Sequence, residues 1–523
     1  MKHTILLYLL LCGATTLLAD APIKRDKYLL LDSRLIEQTS NAKLSVGTVQ
    51  KHPENPLFGQ EFPWEPHFAN FYGNVHYDEK EQRYRLWYNI FLVDDAFSRT
   101  PPEERRPETH VPGDPSSGGS LTKYQSFHHP ERVKKEAAKT GEGCGWYNVR
   151  RKLGTCYAES EDGIRWKKPL MDVSRFRGHK SNIVYWGTHG AGIFQDLLER
   201  DPERRFKMFC QYIYHKPLEP GSIAAEYSSF ESVHMSVAFS GDGLEWGEMI
   251  PCPEIAAAGD THNHAFWAPE LGKYVGITRH WKDSQVVRGG LRLVHRTESN
   301  DFIRWTKSEE ILRGTQKAQT YAMAVFRYAD VYLGLVMILR SWEDRIHCEL
   351  AWSPDTLHWE RIDAGTPLIP NGSDVGDLDW GIAFACDDPV ITDDEIRLYY
   401  GAADGLHAGW KNSSLCLATL RPDGFAGYTA ASDEVGVVVT RPVVCNGPFL
   451  RVNADVENGA LRMGIVGDDT RSIKKSEPIT RAVTGGDVRW QGVHDVASHF
   501  GKTVQLRIEL SGDAKLYSIE FGS

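Results

Sequence analysis

Short runs of alternating hydrophobic and polar residues recur along most of the chain, and they come in pairs around a polar turn. Residues 74–78 and 84–88 form the first pair, and each run has the period of two that is typical of a β-strand. Further pairs follow at 192–196 with 206–209, 265–267 with 273–276, 322–326 with 331–335, and 389–391 with 396–400. The pattern therefore predicts a series of five β-hairpins in an all-β protein.

A second repeat keeps step with the hairpins. In it a serine is followed by an aspartate two positions later, then by a hydrophobic residue and a tryptophan, as in Ser160, Asp162 and Trp166. The other aspartate and aromatic pairs are Asp242 with Trp246, Asp301 with Trp305, Asp355 with Trp359, and a degenerate Asp423 with Tyr428. Short polar side chains of this kind bind nearby backbone N–H groups and close tight turns, and an indole can cover the gap between neighbouring sheets.

Five hairpins and five turns predict a five-bladed β-propeller over residues 22–429. A long array of β-sandwiches is the alternative. An irregular insertion at about 93–148, rich in proline, glycine and charge, would be a loop in the first unit, either a lid over a pocket or inert decoration. From 430 the repeat stops, and the alternating runs within 430–523 predict a C-terminal β-sandwich domain.

The first 21 residues have the pattern of a secretory signal peptide. Lys2 and His3 precede an apolar stretch, and small residues at 19–21 fit a cleavage site after Ala21. The apolar stretch is shorter than the roughly 20 residues that a membrane-spanning helix needs, so no membrane span is predicted. The mature protein is then expected to be secreted or periplasmic, with several buried free thiols and one or two disulfides among its eight remaining cysteines.

Composition narrows the class of partner. A net charge of -10 argues against nucleic acid, because a phosphate backbone needs a basic surface. Aromatic residues make up 11% of the chain and suit both β-strands and sugar binding. A carbohydrate is therefore the expected partner, and the oligomeric state is left open.

Three carboxylates lie directly before the first strand of a hairpin, where loops would line one mouth of the central channel. They are Glu65, Asp260 and Asp379. Glycosidases need one carboxylic acid to protonate the leaving oxygen and one base or nucleophile opposite it. We assign the base or nucleophile to Glu65, the acid to Asp260, and substrate orientation to Asp379. Each could instead be an ordinary loop carboxylate or turn cap.

Other polar and aromatic residues fall at strand ends or in mouth loops and are candidate sugar binders. These are Trp64, Asn182, His262, His264, Arg279, His280, Arg340, Trp380 and His407. Trp64 and Trp380 could stack on sugar rings. Arg279 and Arg340 together would suit an acidic or sulfated sugar.

Two motifs invite a different interpretation. Asp260, His262 and His264 alternate and could form a metal site, but hydrogen-bonding side chains along a mouth explain the pattern equally well, so no metal or cofactor is predicted. The Arg200–Asp201–Pro202 sequence resembles a stabiliser motif of fructan-cleaving propellers, yet its position in a hairpin turn favours a turn.

The chain resembles the clan of five-bladed glycoside hydrolases that includes the fructosidases of family 32 and the arabinosidases and xylosidases of family 43. It is most similar to secreted bacterial "family 32 N-terminal-like" proteins. The resemblance is carried by residues 63–65, 84–88, 259–261, 398–401 and 515–521. It departs from the fructosidases in lacking the nucleophile motif Asn-Asp-Pro-Asn-Gly, whose place Glu65 takes, and the Glu-Cys acid motif, to which Asp260 is the nearest carboxylate.

The resemblance implies a secreted hydrolase of O-glycosidic bonds that acts on a poly- or oligosaccharide. A non-catalytic carbohydrate-binding propeller is an alternative, and so is a sialidase, although a sialidase would need six blades and an arginine triad around a tyrosine. If two of the three carboxylates face each other across a pocket, hydrolysis is favoured over binding.

Overall fold

A computed structural model of the protein describes residues 23–94, 97–98, 102–105, 151–214, 232–282 and 291–522. The expected signal peptide, most of the insertion at 93–148, and Cys144 lie outside the described residues. Within them the protein is all-β, as predicted, with helices confined to short segments. The 3-10 helices are Ser33–Leu35, Pro102–Glu104, Pro202–Arg204, Pro253–Ile255, Ile473–Lys475 and Ala497–His499. The described chain contains no helix long and apolar enough to cross a membrane.

Thirty-six strands are present in the described residues, and they are numbered here in chain order. The N-terminal strands are β1 Lys27–Leu29, β2 Ile36–Ser40, β3 Ala42–Val46 and β4 Gln50–Lys51. The next group is β5 His67–Asp78, β6 Arg83–Asp94, β7 Arg151–Ser160, β8 Trp166–Lys167, β9 Met171–Phe176, β10 His179–Ser181 and β11 Ile183–Trp186. Then come β12 Thr188–Gln195, β13 Phe206–Tyr214, β14 Ser232–Ser240, β15 Ile250–Pro251, β16 His264–Ala268, β17 Lys273–Lys282, β18 Leu291–Ser299 and β19 Glu309–Arg313.

The remaining strands complete the repeats and form the C-terminal part. The repeats end with β20 Ala318–Tyr328, β21 Val331–Arg340, β22 Arg345–Ser353, β23 Glu360–Ile362, β24 Ile382–Ala385, β25 Val390–Ile391, β26 Ile396–Ala403 and β27 Ser413–Leu420. The C-terminal strands are β28 Ala426–Ala430, β29 Gly436–Thr440, β30 Val443–Val444, β31 Phe449–Asp455, β32 Gly459–Ile465, β33 Val483–Asp487, β34 Thr503–Val504, β35 Leu506–Gly512 and β36 Lys515–Gly522.

The described strands between β4 and β27 form five antiparallel units, one for each predicted hairpin. The units are β5-β6-β7-β11, β12-β13-β14-β15, β16-β17-β18-β19, β20-β21-β22-β23, and β24-β26-β27-β4. A single parallel bridge between Ile346 and Ile382 joins the fourth unit to the fifth. The outer strand of the fifth unit, β4, comes from the N-terminal segment.

The first strand of each unit packs against the first strand of a neighbour. β5 contacts β12, β12 contacts β16, and β16 contacts β20, while β24 of the fifth unit contacts β5 of the first. Large apolar side chains fill the spaces between units, among them Trp87, Phe209 and Trp352. Burial of such side chains supplies most of the stabilisation of a packed β-structure.

The structure confirms the predicted aspartate turns. Asp301 Oδ1 accepts hydrogen bonds from the backbone N–H groups of Ile303 and Arg304, both at 2.8 Å, and Ser299 Oγ accepts one from Phe302 N at 2.9 Å. The same pattern recurs at Asp162, Asp242 and Asp355. Trp305 is buried, whereas Trp166, Trp246 and Trp359 are half-buried.

Asp423, the degenerate fifth copy, has a different role. Its buried carboxylate accepts hydrogen bonds from Tyr328, Asn453 and Ser518, and it pairs with Lys27 at 3.1 Å. Asn453 and Ser518 belong to C-terminal strands, so Asp423 connects the repeats to the C-terminal sheets. The carboxylate can be buried although it caps no turn, because each of its acceptor sites has a donor.

Two larger sheets hold most of the C-terminal strands, and β30 and β34 form a separate two-stranded sheet. One has the order β3-β28-β36-β31-β33, with β1 also on β36, and the other has the order β2-β29-β35-β32. Their shared core is built around the buried Trp490. Strands β1, β2 and β3 from the N-terminal segment thus belong to these sheets, a contribution that the alternating pattern of residues 430–523 did not predict.

The described cysteines are all free and buried: Cys156, Cys210, Cys252, Cys348, Cys386, Cys416 and Cys445. The prediction of buried free thiols is therefore confirmed for this part of the chain. Burial raises the pKa of the thiols of Cys210 and Cys252, which keeps them protonated and unreactive.

Candidate functional site

Glu65 lies in a closed, fully buried environment. Its Oε1 accepts a hydrogen bond from the Tyr88 hydroxyl at 2.6 Å. Its Oε2 accepts one from Lys168 Nζ at 2.8 Å and others from the backbone N–H groups of Glu61 and Phe62, at 2.9 and 3.1 Å. The side chains of Glu65 and Lys168 are 0% and 2% exposed. The Glu65 carboxylate has this many donors and no exposed surface. Its ion pair with Lys168 is therefore structural in this geometry.

Trp64 and Asn182 belong to the same environment. Trp64 Nε1 donates to Asn182 Oδ1 at 2.7 Å, and Asn182 Nδ2 donates to the Tyr88 hydroxyl at 2.7 Å. The Trp64 ring stacks on Phe62, with 4.6 Å between ring centroids. Its indole face is therefore covered by protein rather than presented to a sugar.

Asp379 is held in a second buried ion pair. Its Oδ2 lies 2.6 Å from Lys51 Nζ and accepts a hydrogen bond from the Tyr400 hydroxyl at 2.9 Å. The neighbouring Trp380 is half-buried, and the Arg345 guanidinium lies 4.7 Å from its ring centroid. The partners of Asp379, Lys51 and Tyr400, differ from those of Glu65, which are Lys168 and Tyr88.

Arg340 also lies apart from Arg279. It pairs with Glu343 at 3.2 Å and donates to Asn371 Oδ1 at 3.1 Å. Its side chain remains 24% exposed. The two arginines that the sequence placed in one mouth therefore have separate partners.

Asp260 lies in a different setting, between two cationic or polar side chains. Its Oδ1 is 3.6 Å from His189 Nδ1 and its Oδ2 is 3.9 Å from Arg279 Nη1. The preceding Gly259 has a φ of +63°, and a Cβ there would come within 2.2 Å of Met235 Sδ, so the turn that presents Asp260 requires glycine. The Asp260 side chain is 14% exposed.

Arg279 connects Asp260 to Tyr321. Its guanidinium carbon lies 4.0 Å from the centroid of the Tyr321 ring, and its Nε and Nη2 donate to the Tyr321 carbonyl oxygen at 3.1 and 2.7 Å. The Arg292 guanidinium lies 5.1 Å from the same ring. Cations over an aromatic face are attracted by the negative charge of its π-electrons, so the two guanidinium groups and the ring hold one another in place.

Tyr321 is the end of a chain of polar contacts. Its hydroxyl lies 3.0 Å from His407 Nε2, and His407 Nδ1 lies 3.4 Å from Asp344 Oδ1. Asn70 Nδ2 donates to the same hydroxyl at 3.1 Å. With Nδ1 protonated toward Asp344, Nε2 of His407 is free to accept the Tyr321 proton.

The protonation states favour that arrangement. Burial lowers the pKa of His407 to about 4, although the nearby Asp344 acts in the opposite direction, so the imidazole is neutral at pH 7. Burial acts to raise the pKa of Asp344, but the hydrogen bond and charge of His407 and the Ala408 N–H group leave that pKa below its ordinary value. An ionised carboxylate, a neutral imidazole and a phenol therefore stand in line.

Tyr72 and His262 complete this environment. The Tyr72 and His262 rings are stacked at 5.5 Å, and Asn70 donates to the Tyr72 hydroxyl at 3.0 Å. Burial raises the pKa of Tyr72, and the neighbouring Tyr321 raises it further. Burial also lowers the pKa of His262 to about 3, so its ring is neutral and its Nε2 pairs with Asn74 Oδ1 at 3.2 Å.

His264 points elsewhere, toward the Val325 carbonyl at 2.6 Å and Asp388 at 3.4 Å. Asp260, His262 and His264 thus have separate partners. The described residues contain no group of three or more histidine, cysteine, aspartate or glutamate side chains that could hold a metal ion.

We call the set that these contacts connect the central cluster. Its members are Asn70, Tyr72, His189, Asp260, His262, Arg279, Arg292, Tyr321, Asp344, Phe384 and His407. All five units contribute, since Phe384 of the fifth unit packs at 5.1 Å on Tyr72 of the first. Of the residues proposed from sequence, the structure brings together Asp260, His262, Arg279 and His407.

Irregular strands position several of these side chains. The pairing register shifts between His67 and Tyr72, between His189 and Gly192, and between Thr320 and Ala322. A bulge of this kind re-aims a side chain out of the regular ladder. The sequence did not point to Tyr72, His189 or Tyr321, because proton-transfer groups were expected only among carboxylates that precede the first strand of a unit.

Comparisons with known proteins were made for the whole chain. No family model matches it, and no curated protein sequence matches it. Among solved structures, it is similar to a β-1,2-mannobiose phosphorylase from Listeria innocua, with 14% identity, 71% of this chain and 96% of that chain covered, and a TM-score of 0.44.

Two further structures illustrate the range. An N-acetylgalactosamine deacetylase from F. plautii shares 12% identity, covers 73% of this chain and 96% of its own, and has a TM-score of 0.39. A structure from the GH130 family of mannoside phosphorylases and glycoside hydrolases shares 13% identity, with 72% and 95% covered and a TM-score of 0.39. At these values the likeness assigns no reaction, and the resemblance to families 32 and 43 stays a prediction.

Proposed function

We propose that the protein is a glycoside hydrolase whose five units are the blades of a five-bladed β-propeller. Residues from 430 onward, together with β1, β2, β3 and β28, form a β-sandwich domain. The contact of β24 with β5, which brings the fifth unit against the first, supports the propeller. The signal-like N-terminus supports a secreted or periplasmic location.

The observation that carries the proposed reaction is the pairing of two proton-transfer groups in the central cluster. Asp260 is one, and the line of Asp344, His407 and Tyr321 is the other. Arg279 lies between them, 3.9 Å from Asp260 and 4.0 Å from the Tyr321 ring. Hydrolysis of a glycoside needs one group that gives a proton to the leaving oxygen and one that activates water.

We assign the proton donor to Asp260, as the sequence did, and the water-activating group to Tyr321. A water proton would pass to the Tyr321 oxygen while the Tyr321 proton passes to His407 Nε2, and Asp344 would stabilise the resulting imidazolium. The Asp260 proton goes to the leaving oxygen as the glycosidic bond breaks. Solvent then returns a proton from His407 to Asp260, so that the overall reaction consumes one water.

In this assignment Tyr321 and its partners take the base role that the sequence gave to Glu65, and Asp379 has no role in the reaction. Glu65 is wholly buried and Asp379 is 5% exposed, and each is held by a lysine and a tyrosine hydroxyl. Asp260 and Asp344 retain 14% and 17% of their side-chain surface. Tyr321 is itself only 5% exposed, so the distinction lies in the partners. Glu65 and Asp379 are each held by a lysine ammonium, whereas the Tyr321 hydroxyl faces the neutral imidazole of His407.

The test is hydrolysis of a panel of plant and algal polysaccharides and nitrophenyl glycosides by the purified protein. Wild type should release reducing sugar from at least one member, and Asp260→Asn should lose on the order of 100-fold or more in turnover. Asp201→Asn is the matched control, because Asp201 only caps a 3-10 helix in an exposed hairpin turn. Binding of a glycan without hydrolysis would contradict the proposal and favour a non-catalytic carbohydrate-binding propeller.

A further inference from the structure

Arg279 and Arg292 lie side by side although they come from different strands. β17 pairs with β18 so that Trp281 is opposite Arg292, and both guanidinium groups lie against the Trp281 ring, at 5.4 and 4.6 Å from its centroid. They also share the Tyr321 ring. Burial lowers the pKa of Arg292 to about 10, and the positive charge of Arg279 lowers it further. Two like charges are thus held together in a buried place.

The donors of the two guanidinium groups are incompletely used. Arg279 donates through Nε and Nη2 to Tyr321 O and Thr261 Oγ1, and Arg292 Nη1 donates to Gln319 Oε1. Among the described residues, Arg279 Nη1 and Arg292 Nε have no hydrogen-bond acceptor. The Asp260 carboxylate is 3.9 Å from Arg279 Nη1, which is beyond hydrogen-bond distance. A buried donor without an acceptor is destabilising, because it has lost its hydrogen bond to water and gained none in the protein.

An anion placed at these donors would satisfy both and would separate the two positive charges. A planar oxyanion fits the fork of a guanidinium, and hydrogen bonds to ionised groups are about twice as strong as neutral ones. The position is next to Asp260 and Tyr321, the proposed reacting groups, so the anion would belong to the substrate itself.

We propose that the substrate is an acidic sugar whose carboxylate or sulfate group is bound by Arg279 and Arg292. The proposal rests on the proposed function for its location. It differs from the expectation drawn from the sequence, because Arg292 takes the place of Arg340, which already pairs with Glu343 and Asn371.

The experiment is calorimetric titration of the full-length mature protein with glucuronate, glucose 6-sulfate and glucose. At least one of the two anionic sugars should bind at least 10-fold more tightly than glucose. Comparison of the two separates a carboxylate ligand from a sulfate ligand. Arg292→Gln should weaken that binding at least 10-fold, whereas Arg340→Gln, a matched control on the neighbouring unit, should leave it unchanged.

Arg292→Lys keeps the charge and guards against a variant that does not fold. Provided that circular dichroism shows it folded, it should bind the anionic sugar with an affinity between those of wild type and Arg292→Gln. Equal affinity for glucose and both anionic sugars, or unchanged binding in folded Arg292→Gln, overturns the proposal. Hydrolysis of neutral glycans alone would also overturn it while leaving the glycosidase intact. Anion binding lost in Arg292→Gln, with no hydrolysis of the panel, would support it and count against the glycosidase.

Discussion

The hydroxyl of Tyr321 lies 3.0 Å from His407 Nε2, although the two residues come from different units of the fold. Tyr321 belongs to β20 of the fourth unit, and His407 follows β26 of the fifth. The contact therefore depends on how neighbouring units pack, and it gives the phenol a neutral base. The contribution of this contact to catalysis can be measured by removing the hydroxyl oxygen of Tyr321.

Tyr321→Phe should keep the fold and lose on the order of 100-fold or more in kcat, because a positioned proton-transfer group contributes about that much. The measurement is turnover on the best substrate of the glycan panel, with its pH profile. Tyr77→Phe is the control, since its hydroxyl donates to Gln82 Oε1 at 3.2 Å in an exposed hairpin. A Tyr321→Phe protein with wild-type kcat would remove Tyr321 from the mechanism.

Glu65→Gln should lower stability rather than activity. The substitution leaves Lys168 buried beside an uncharged amide, and breaking a buried ion pair in this way costs about 3–5 kcal/mol. The readout is the free energy of unfolding in urea together with kcat of the folded protein. The double variant Glu65→Gln/Lys168→Met should recover part of the loss, because it removes the buried ammonium, whose remaining carboxylate partner in Glu65→Gln would be the exposed Glu61 at 3.4 Å. A large fall in kcat at unchanged stability would restore Glu65 as the catalytic base.

Asp379→Asn gives an independent comparison of the same kind. It should destabilise the protein through Lys51, whose side chain is 32% exposed and so can reach water. The expected loss is therefore smaller than for Glu65→Gln, in the range of about 1–2 kcal/mol. Chemical denaturation of both variants under one set of conditions measures the two losses of stability. A larger loss for Asp379→Asn than for Glu65→Gln would contradict the interpretation of both residues as partners in structural ion pairs.

Acid should destabilise the protein through its buried neutral histidines. The pKa values of His262 and His407 are about 3 and about 4, below the ordinary value of 6.5 in an unfolded chain. Between pH 6.5 and these values the unfolded state binds more protons, so stability is full above pH 6.5 and is lost as the pH falls. At pH 5 the loss is on the order of 2 kcal/mol for each histidine.

Thermal unfolding from pH 7.5 to 4.5 tests this. His407→Gln should flatten the profile in that range. A slope equal in wild type and His407→Gln would show that His407 is not a neutral buried group.

The sequence predicted the repeats well because their turns are local. Asp301 and Ser299 bind backbone groups within three residues, so spacing alone reveals the turn. The same holds for the exposed turn at Asp201. The all-β class and five hairpins follow from such short-range patterns.

The site was harder to predict because its contacts are long-range. Glu65 precedes an inner strand, as expected, yet Lys168 from a distant loop covers it completely. Nothing near Tyr321 in the sequence indicates that His407 or Asn70 meets its hydroxyl. Asp260 also precedes a strand and lies in the central cluster, but the partners of each carboxylate depend on packing between units, which its position before a strand does not reveal.

The pairing of β1 with β36 joins the two ends of the chain, with Tyr28 opposite Ile519. During synthesis Tyr28 leaves the ribosome long before Ile519 exists, so this edge stays open until β36 has been synthesised. Closing so long a loop carries a large entropic cost, which makes late assembly slow. A protein shortened by its last eight residues should therefore lose order at both termini together, and proteolysis at residues 27–46 would report it.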